Sequence, residues 1–187
     1  TSDFWVFEGQ DGRDYAVSGT WGADGTTFFW DVTDPGNLKK IDSVKVDART
    51  VNDVKVSSDG KISIISREGA SNRRNGIVIL DTTNPYDVKI LSEYTQNLTG
   101  GVHNVFIYED HVYALSNGER FYIINIEDPK TPYEVGMFEI GEKGQSIHDV
   151  WVEDGIAYSS NWKHGVYMID VGNGVAGGSP SNPVAIA

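Results

Sequence analysis

Histidine next to aspartate or asparagine recurs in this sequence and is the feature best suited to chemistry. Asp53, Asn104 and Asp149 each stand directly before a valine, and His103 and His148 stand directly before the second and third of these residues. Carboxylate and amide oxygens with imidazole nitrogens can bind a cation or hold ordered water. They can equally form a hydrogen-bond network between neighbouring strands, which we favour. These five residues are the candidate binding site.

Known catalytic motifs are missing. The sequence contains no cysteine, no His-x-x-x-His spacing, no phosphate-binding loop, no dinucleotide fingerprint and no Gly-x-Ser-x-Gly elbow. Ser146 and His148 are two residues apart, but a strand would give them no oxyanion hole. The sequence therefore predicts no enzyme, no catalytic residue and no cofactor. Ca²⁺ is the one metal that the acidic residues suggest, with unknown ligands.

Two tryptophans form a second candidate binding surface. Trp21 and Trp162 each follow the second predicted strand of a repeat and stand just before a turn. Large aromatic side chains at an exposed loop edge are common in binding surfaces, although most aromatic residues serve as core. We expect this pair to contact a ligand or a partner.

Charge and hydropathy restrict the partners. The chain has 187 residues, with 27 Asp and Glu against 15 Lys and Arg, for a net charge of −12. Phosphate backbones require clustered Lys and Arg, so nucleic acid is excluded as a partner. No stretch approaches the ~20 apolar residues that span a bilayer, so the sequence predicts no transmembrane segment.

A repeat of about 45 residues organises the chain. Asp31, Asp81, Asn125 and Asp170 each end an apolar run and precede a turn, at intervals of 50, 44 and 45 residues. The Asp3, Asp53, Asn104 and Asp149 marker keeps the same phase. Two markers in phase through four units indicate a repeat protein. We interpret the first set as structural, with each side-chain oxygen accepting an N–H of its own turn.

Each repeat has the pattern of a β-meander. In the third, strands are predicted over Val102–Tyr108, Val112–Leu115, Phe121–Ile126 and Glu134–Ile140, with short turns between them. Four antiparallel strands per repeat predict an all-β fold, a β-propeller with four four-stranded blades. The blades span approximately 1–47, 48–98, 99–143 and 144–187. The four could close on themselves, belong to a larger ring, or pair with a second chain.

The third strands resemble the pentapeptide of the LVIVD-repeat proteins. The matching segments are Gly165-Val-Tyr-Met-Ile-Asp170-Val, Gly76-Ile-Val-Ile-Leu-Asp81, Phe121-Tyr-Ile-Ile-Asn125-Ile and, more loosely, Phe28-Phe-Trp-Asp31-Val. The opening, Asp3-Phe-Trp and then Gly12 to Thr20, is similar to the start of the surface proteins called choice-of-anchor B. This resemblance implies a bacterial or archaeal propeller that is exported or displayed on the cell surface, or held in the periplasm. It implies no catalytic residues.

Two functions follow from these observations. The main prediction is a non-catalytic surface scaffold that binds a protein or a surface glycan through its loops. The alternative is a metal-dependent binder or a hydrolase-type enzyme that uses the Asp/His ring at the mouth of the channel. A propeller can carry either function, so the fold does not choose between them.

Overall fold

The computed structural model describes residues 1–22, 24–141 and 146–186. Sixteen strands in this part of the chain form four sheets. Sheet 1 contains β1 (Phe4–Glu8), β2 (Asp14–Ser18), β3 (Thr26–Asp31) and β4 (Lys39–Lys45). Sheet 2 contains β5 (Val54–Val56), β6 (Ile62–Arg67), β7 (Gly76–Asp81) and β8 (Lys89–Tyr94). Sheet 3 contains β9 (Val105–Tyr108), β10 (His111–Ser116), β11 (Arg120–Asn125) and β12 (Tyr133–Glu139). Sheet 4 contains β13 (Asp149–Glu153), β14 (Ile156–Ser160), β15 (Val166–Asp170) and β16 (Val184–Ala185).

Every sheet is an antiparallel meander in chain order. Sheets 1, 2 and 3 repeat one irregularity between their third and fourth strands. The register shifts after Phe29, Ile79 and Ile123, which occupy equivalent positions. An extra residue on the fourth strand increases the local twist, so the three sheets bend alike. The repeat in the sequence is therefore a repeat in backbone geometry.

Tight turns connect the strands where the sequence supplies residues that accept a positive φ. Asp154 and Gly155 join β13 to β14 with φ values of 49° and 71°, as two-residue hairpin turns require. A Cβ on Gly155 would also lie 2.4 Å from the backbone nitrogen of Asn173. Glycine is needed here for both reasons.

The sheets pack face to face in chain order through three apolar clusters. One cluster joins sheets 1 and 2, another joins sheets 2 and 3, and a third joins sheets 3 and 4. The first strand of each sheet contacts the first strand of the next, so β1, β5, β9 and β13 form the inner row. One short 3₁₀ turn, Trp162–His164, is the sole helical segment among the described residues. None of those residues forms a helix that could span a membrane.

The predicted all-β fold with four antiparallel four-stranded sheets is confirmed. The predicted turn role of the recurrent Asp and Asn is also confirmed. Each accepts, through Oδ1, the N–H of the residue two positions later, at 2.9 to 3.2 Å; the four are Asp31, Asp81, Asn125 and Asp170. The predicted boundary between the third and fourth repeats, at 143/144, lies outside the described residues, as does the predicted end at 187.

Candidate functional site

The five residues predicted as a binding site all line one open pocket of about 230 Å³ at the beginning of the inner strands. We call it the first-strand pocket. Its other lining residues are Ser2, Asp3, Asn52 and Lys55. In a regular strand, neighbouring residues such as His103 and Asn104 would point to opposite faces. However, β5 and β9 begin one residue after Asp53 and Asn104, so the preceding residues are not bound by strand alternation and both sets reach the pocket.

Asp53 ties two sheets together. Its side chain is 1% exposed, and its Oδ2 accepts the N–H of Val105 in sheet 3 at 2.7 Å. Its Oδ1 accepts the N–H of Val54 at 2.9 Å and a short hydrogen bond from Lys55. A buried carboxyl group that satisfies N–H groups of two strands fixes their relative position. This is the inter-strand network that the sequence analysis favoured for this position.

A second carboxyl group shares this cluster. Lys55 also donates to Asp3 Oδ2 at 2.9 Å. Burial raises the pKa of Asp53 to about 8, and its hydrogen bond with Asp3 acts in the same direction. Burial alone would raise the pKa of Asp3 as well, but its hydrogen bonds with Asp53 and Lys55 outweigh burial and lower it. The two carboxyl groups and the Lys55 ammonium therefore form one hydrogen-bonded cluster in the pocket.

Two histidines form the accessible side of the first-strand pocket. The rings of His103 and His148 lie 5.1 Å apart. Glu68 Oε1 lies 3.4 Å from His103 Nδ1, and the His103 side chain is 41% exposed. A carboxylate on Nδ1 favours the tautomer whose free lone pair is on Nε2, the atom that can accept a proton. Imidazole, carboxylate and solvent access are thus combined at His103.

The two candidate tryptophans differ in their contacts. Trp162 packs edge-on against His148, with ring centroids 4.5 Å apart, and so borders the first-strand pocket. Trp21 lies under the guanidinium of Arg49, whose Cζ is 5.9 Å from the centroid of the Trp21 ring. Trp21 does not line the first-strand pocket. Both side chains are more than 60% exposed. Their sequence positions are similar, but only Trp162 is placed beside a histidine.

One polar atom of the pocket lacks a partner. Asn104 Oδ1 is buried, and nothing in the described part of the chain donates a hydrogen bond to it. A buried acceptor normally has a donor, so this oxygen is an unmet hydrogen-bond acceptor beside the pocket. Within residues 1–22, 24–141 and 146–186, no group of three or more His, Asp or Glu has the geometry to hold a metal. The Ca²⁺ suggestion remains a prediction.

Sequence reasoning missed Glu68 and Lys55. Glu68 follows the end of β6, and a backbone pair with Thr50 holds it beside the pocket. It is 35 positions from His103 in the sequence and meets it only because sheets 2 and 3 pack together. Lys55 could have been found, since it stands two residues after Asp53, where strand residues share a face.

Comparison with known proteins gives a fold but no family. No family model matches the chain, and no curated protein sequence matches it. A crystal structure of a "putative 6-phosphogluconolactonase" from Bacteroides uniformis is similar, with a TM-score of 0.72 and 13% sequence identity. The similarity covers 97% of this chain and 55% of that one, so the chain spans about half the length of this structural relative.

This similarity contradicts the prediction of a non-catalytic scaffold that is not an enzyme. The similar protein is named as a lactonase, which is a hydrolase, and the similarity covers nearly the whole of this chain. At 13% identity the likeness concerns the fold, and an activity for this chain is a matter for proposal. The sequence search covered only residue patterns that are close in sequence. Glu68 and His103 become a pair only in the folded chain.

Proposed function

We propose that the four sheets are blades of a β-propeller and that the first-strand pocket is the active site of a hydrolase. The observation that carries the proposal is the placement of His103, whose Nδ1 lies 3.4 Å from Glu68 Oε1 and whose side chain is 41% exposed. The name of the structural relative denotes hydrolysis of a lactone, and it supports the same reaction class. The proposal includes membership of the LVIVD-repeat proteins and a surface location, and the repeated third-strand motif supports both.

In the proposed reaction, water attacks the carbonyl carbon of an ester or lactone. His103 Nε2 takes the proton of the water as its oxygen bonds to carbon, and the carbonyl oxygen becomes an oxyanion. The nearby Glu68 carboxylate stabilises the imidazolium that forms. When the bond between carbon and the leaving oxygen breaks, the imidazolium returns the proton to that oxygen. The products are a carboxylic acid and an alcohol, which are one molecule if the substrate is a lactone.

The pocket favours an uncharged, hydroxylated substrate at the reacting end. Its lining holds three aspartates against the single ammonium of Lys55, so an anionic group there would be repelled. Asn104 Oδ1 is buried without a donor, so a small rotation of its amide into the pocket would let it accept a hydrogen bond from a substrate hydroxyl. A volume of about 230 Å³ suits a small ring, since pockets for drug-sized molecules begin at about 300 Å³.

The test is hydrolysis of glucono-δ-lactone, followed by pH-stat, and of p-nitrophenyl acetate, followed by absorbance. We expect His103→Gln to lower the rate about 10²–10⁴-fold, as loss of a general base does. Glu68→Gln should lower it less, because the imidazole remains. His111→Gln is the matched control, because His111 begins β10 at the far end of sheet 3.

The proposal is overturned if the unaltered chain and His103→Gln hydrolyse both substrates equally. It is also overturned if His111→Gln loses as much activity as His103→Gln. Circular dichroism of each variant separates loss of the base from loss of the fold.

A further inference from the structure

The outer face of sheet 1 is apolar and uncovered. Phe4 is 62% exposed and Val6 is 52% exposed. Counted from the repeated Asp or Asn, they correspond to Val54 and Val56 in sheet 2, which are 0% and 5% exposed. In sheets 2, 3 and 4 this face packs on the preceding sheet. Sheet 1 has the same apolar pattern, but among the described residues no sheet packs on this face.

Sheet 4 is uncovered on the opposite face. Val166 is 60% exposed and Met168 is 36% exposed. Trp151 on β13 is 49% exposed, and its ring contacts Phe106 of sheet 3 and Trp5 of sheet 1 at the inner strands. Met168 corresponds to Phe29, Ile79 and Ile123 of the other sheets, which are all 0% exposed. Those residues pack on the following sheet. The described part of sheet 4 has no following sheet.

The two uncovered faces are complementary by repetition. The uncovered face of sheet 4 corresponds to the face by which sheets 1, 2 and 3 pack on the next sheet in the chain. The uncovered face of sheet 1 corresponds to the face by which sheets 2, 3 and 4 pack on the preceding sheet. A contact of sheet 4 with sheet 1 would therefore repeat the packing already present three times within the chain. Exposed apolar faces of this kind mark interaction surfaces.

We infer that sheet 4 of one copy packs on sheet 1 of a second copy. A two-fold axis repeats the contact, because the second copy's sheet 4 then faces the first copy's sheet 1. Such head-to-tail contacts form a closed ring when the rotation allows it. The ring formed by two copies of the 187-residue chain contains eight sheets. The inference does not depend on the proposed hydrolysis.

The size of the interface suits a stable pair. Four strands about 4.8 Å apart and about five residues long give a face of roughly 300 Å². Two contacts between two copies remove four such faces from water, roughly 1,200 Å², at the lower end of stable protein interfaces. A single contact removes about half of that area, so closure by the second contact is needed for stability.

The test measures the mass of the 187-residue chain in solution by light scattering and by sedimentation. We expect twice the 20.5 kDa of one chain. Val6→Lys and Val166→Lys should each give a monomer, because a lysine charge would be buried in the contact. Both valines are exposed in a single copy, so the substitutions should not impair folding. Leu38→Lys is the matched control, since Leu38 is 58% exposed and lies on neither face.

Mixing the two variants tests which faces meet. The sheet 4 face of Val6→Lys and the sheet 1 face of Val166→Lys are both intact, so we expect weak pairs in the mixture and none in either variant alone. A monomer for the unaltered chain overturns the inference, and so does an assembly larger than two copies. A pair that survives Val166→Lys also overturns it, because sheet 4 would then take no part.

Discussion

Sheets 2 and 4 contain the same repeated residues in different surroundings. Sheet 2 is packed on both faces, and its first-strand carboxyl group, Asp53, is 1% exposed with donors from two strands. Sheet 4 is packed on one face, and its equivalent, Asp149, is half-buried and accepts the N–H of Val150. Burial decides whether the repeated residue serves as a tie between sheets or stays accessible to solvent.

The largest expected difference between the two sheets concerns packing. Ile79→Ala should cost about 2–5 kcal/mol, because Ile79 is 0% exposed and the variant leaves a cavity. Met168→Ala, at the equivalent position, should cost less than about 1 kcal/mol, because solvent fills the space. Both are to be measured by urea unfolding in the Val6→Lys background, so that only contacts within one copy count. Equal losses would show that sheet 4 is covered.

The next largest difference should be in how much the two first-strand carboxyl groups, Asp53 and Asp149, contribute to stability. Asp53→Ala removes the acceptor of the Val54 and Val105 N–H groups. Two buried donors without partners should cost about 2–4 kcal/mol. Asp149→Ala affects only the Val150 N–H and should cost about 1 kcal/mol. Urea unfolding of both variants measures these losses. A larger loss of unfolding free energy for Asp149→Ala than for Asp53→Ala would show that Asp149, and not Asp53, connects two sheets.

A smaller difference between the two sheets should appear in how their stability depends on pH, through Asp170 of sheet 4. Asp170 is 0% exposed and accepts four backbone N–H groups of residues 172–178 at 2.7 to 3.1 Å. Burial alone would raise its pKa, but these hydrogen bonds outweigh burial and hold the pKa far below its usual range. A lowered folded pKa stabilises the fold above the unfolded pKa of about 3.9, and this stabilisation disappears as the pH falls below it.

Asp170→Asn should therefore melt at a lower temperature at pH 7 and lose less on acidification to pH 3 than the unaltered chain. Asp81→Asn is the matched control in sheet 2, where the side chain accepts one turn N–H. Thermal melts at both pH values check the prediction. Parallel pH profiles for Asp170→Asn and the unaltered chain would contradict it.

The smallest effect separates the two tryptophans. Trp162→Ala should shift the ring-proton resonances of His148, because the two rings touch. Trp21→Ala should leave them unchanged, because Trp21 contacts Arg49 instead. Proton NMR of the two variants makes the comparison. A shift with Trp21→Ala as large as that with Trp162→Ala would place both residues at the pocket.

The repeat made most of the fold predictable, because strand length, turn residues and phase are local properties. The start of each inner strand was less predictable. Val102–Tyr108 was predicted as one strand, but β9 begins at Val105. Asp53 and Asn104 precede their strands, although the backbone carbonyl of each accepts an N–H from the neighbouring strand, from Ser66 and Leu115. The Glu68–His103 pair depends on packing between two sheets, which no local pattern encodes.

The repeated Asx turns also explain an exchange in the sequence. The turn requires one oxygen that accepts an N–H two residues later, and the amide of Asn125 supplies it as well as a carboxylate does. The turn therefore does not require the negative charge that the aspartates carry at the other three positions. The charged carboxylate of Asp31 also accepts a hydrogen bond from Arg13 at 2.6 Å. The carboxylate of Asp170 accepts four backbone N–H groups and so holds the loop of residues 172–178. A duplicated unit thus carries a ready acid at each turn, which later divergence could recruit without disturbing the strands on either side.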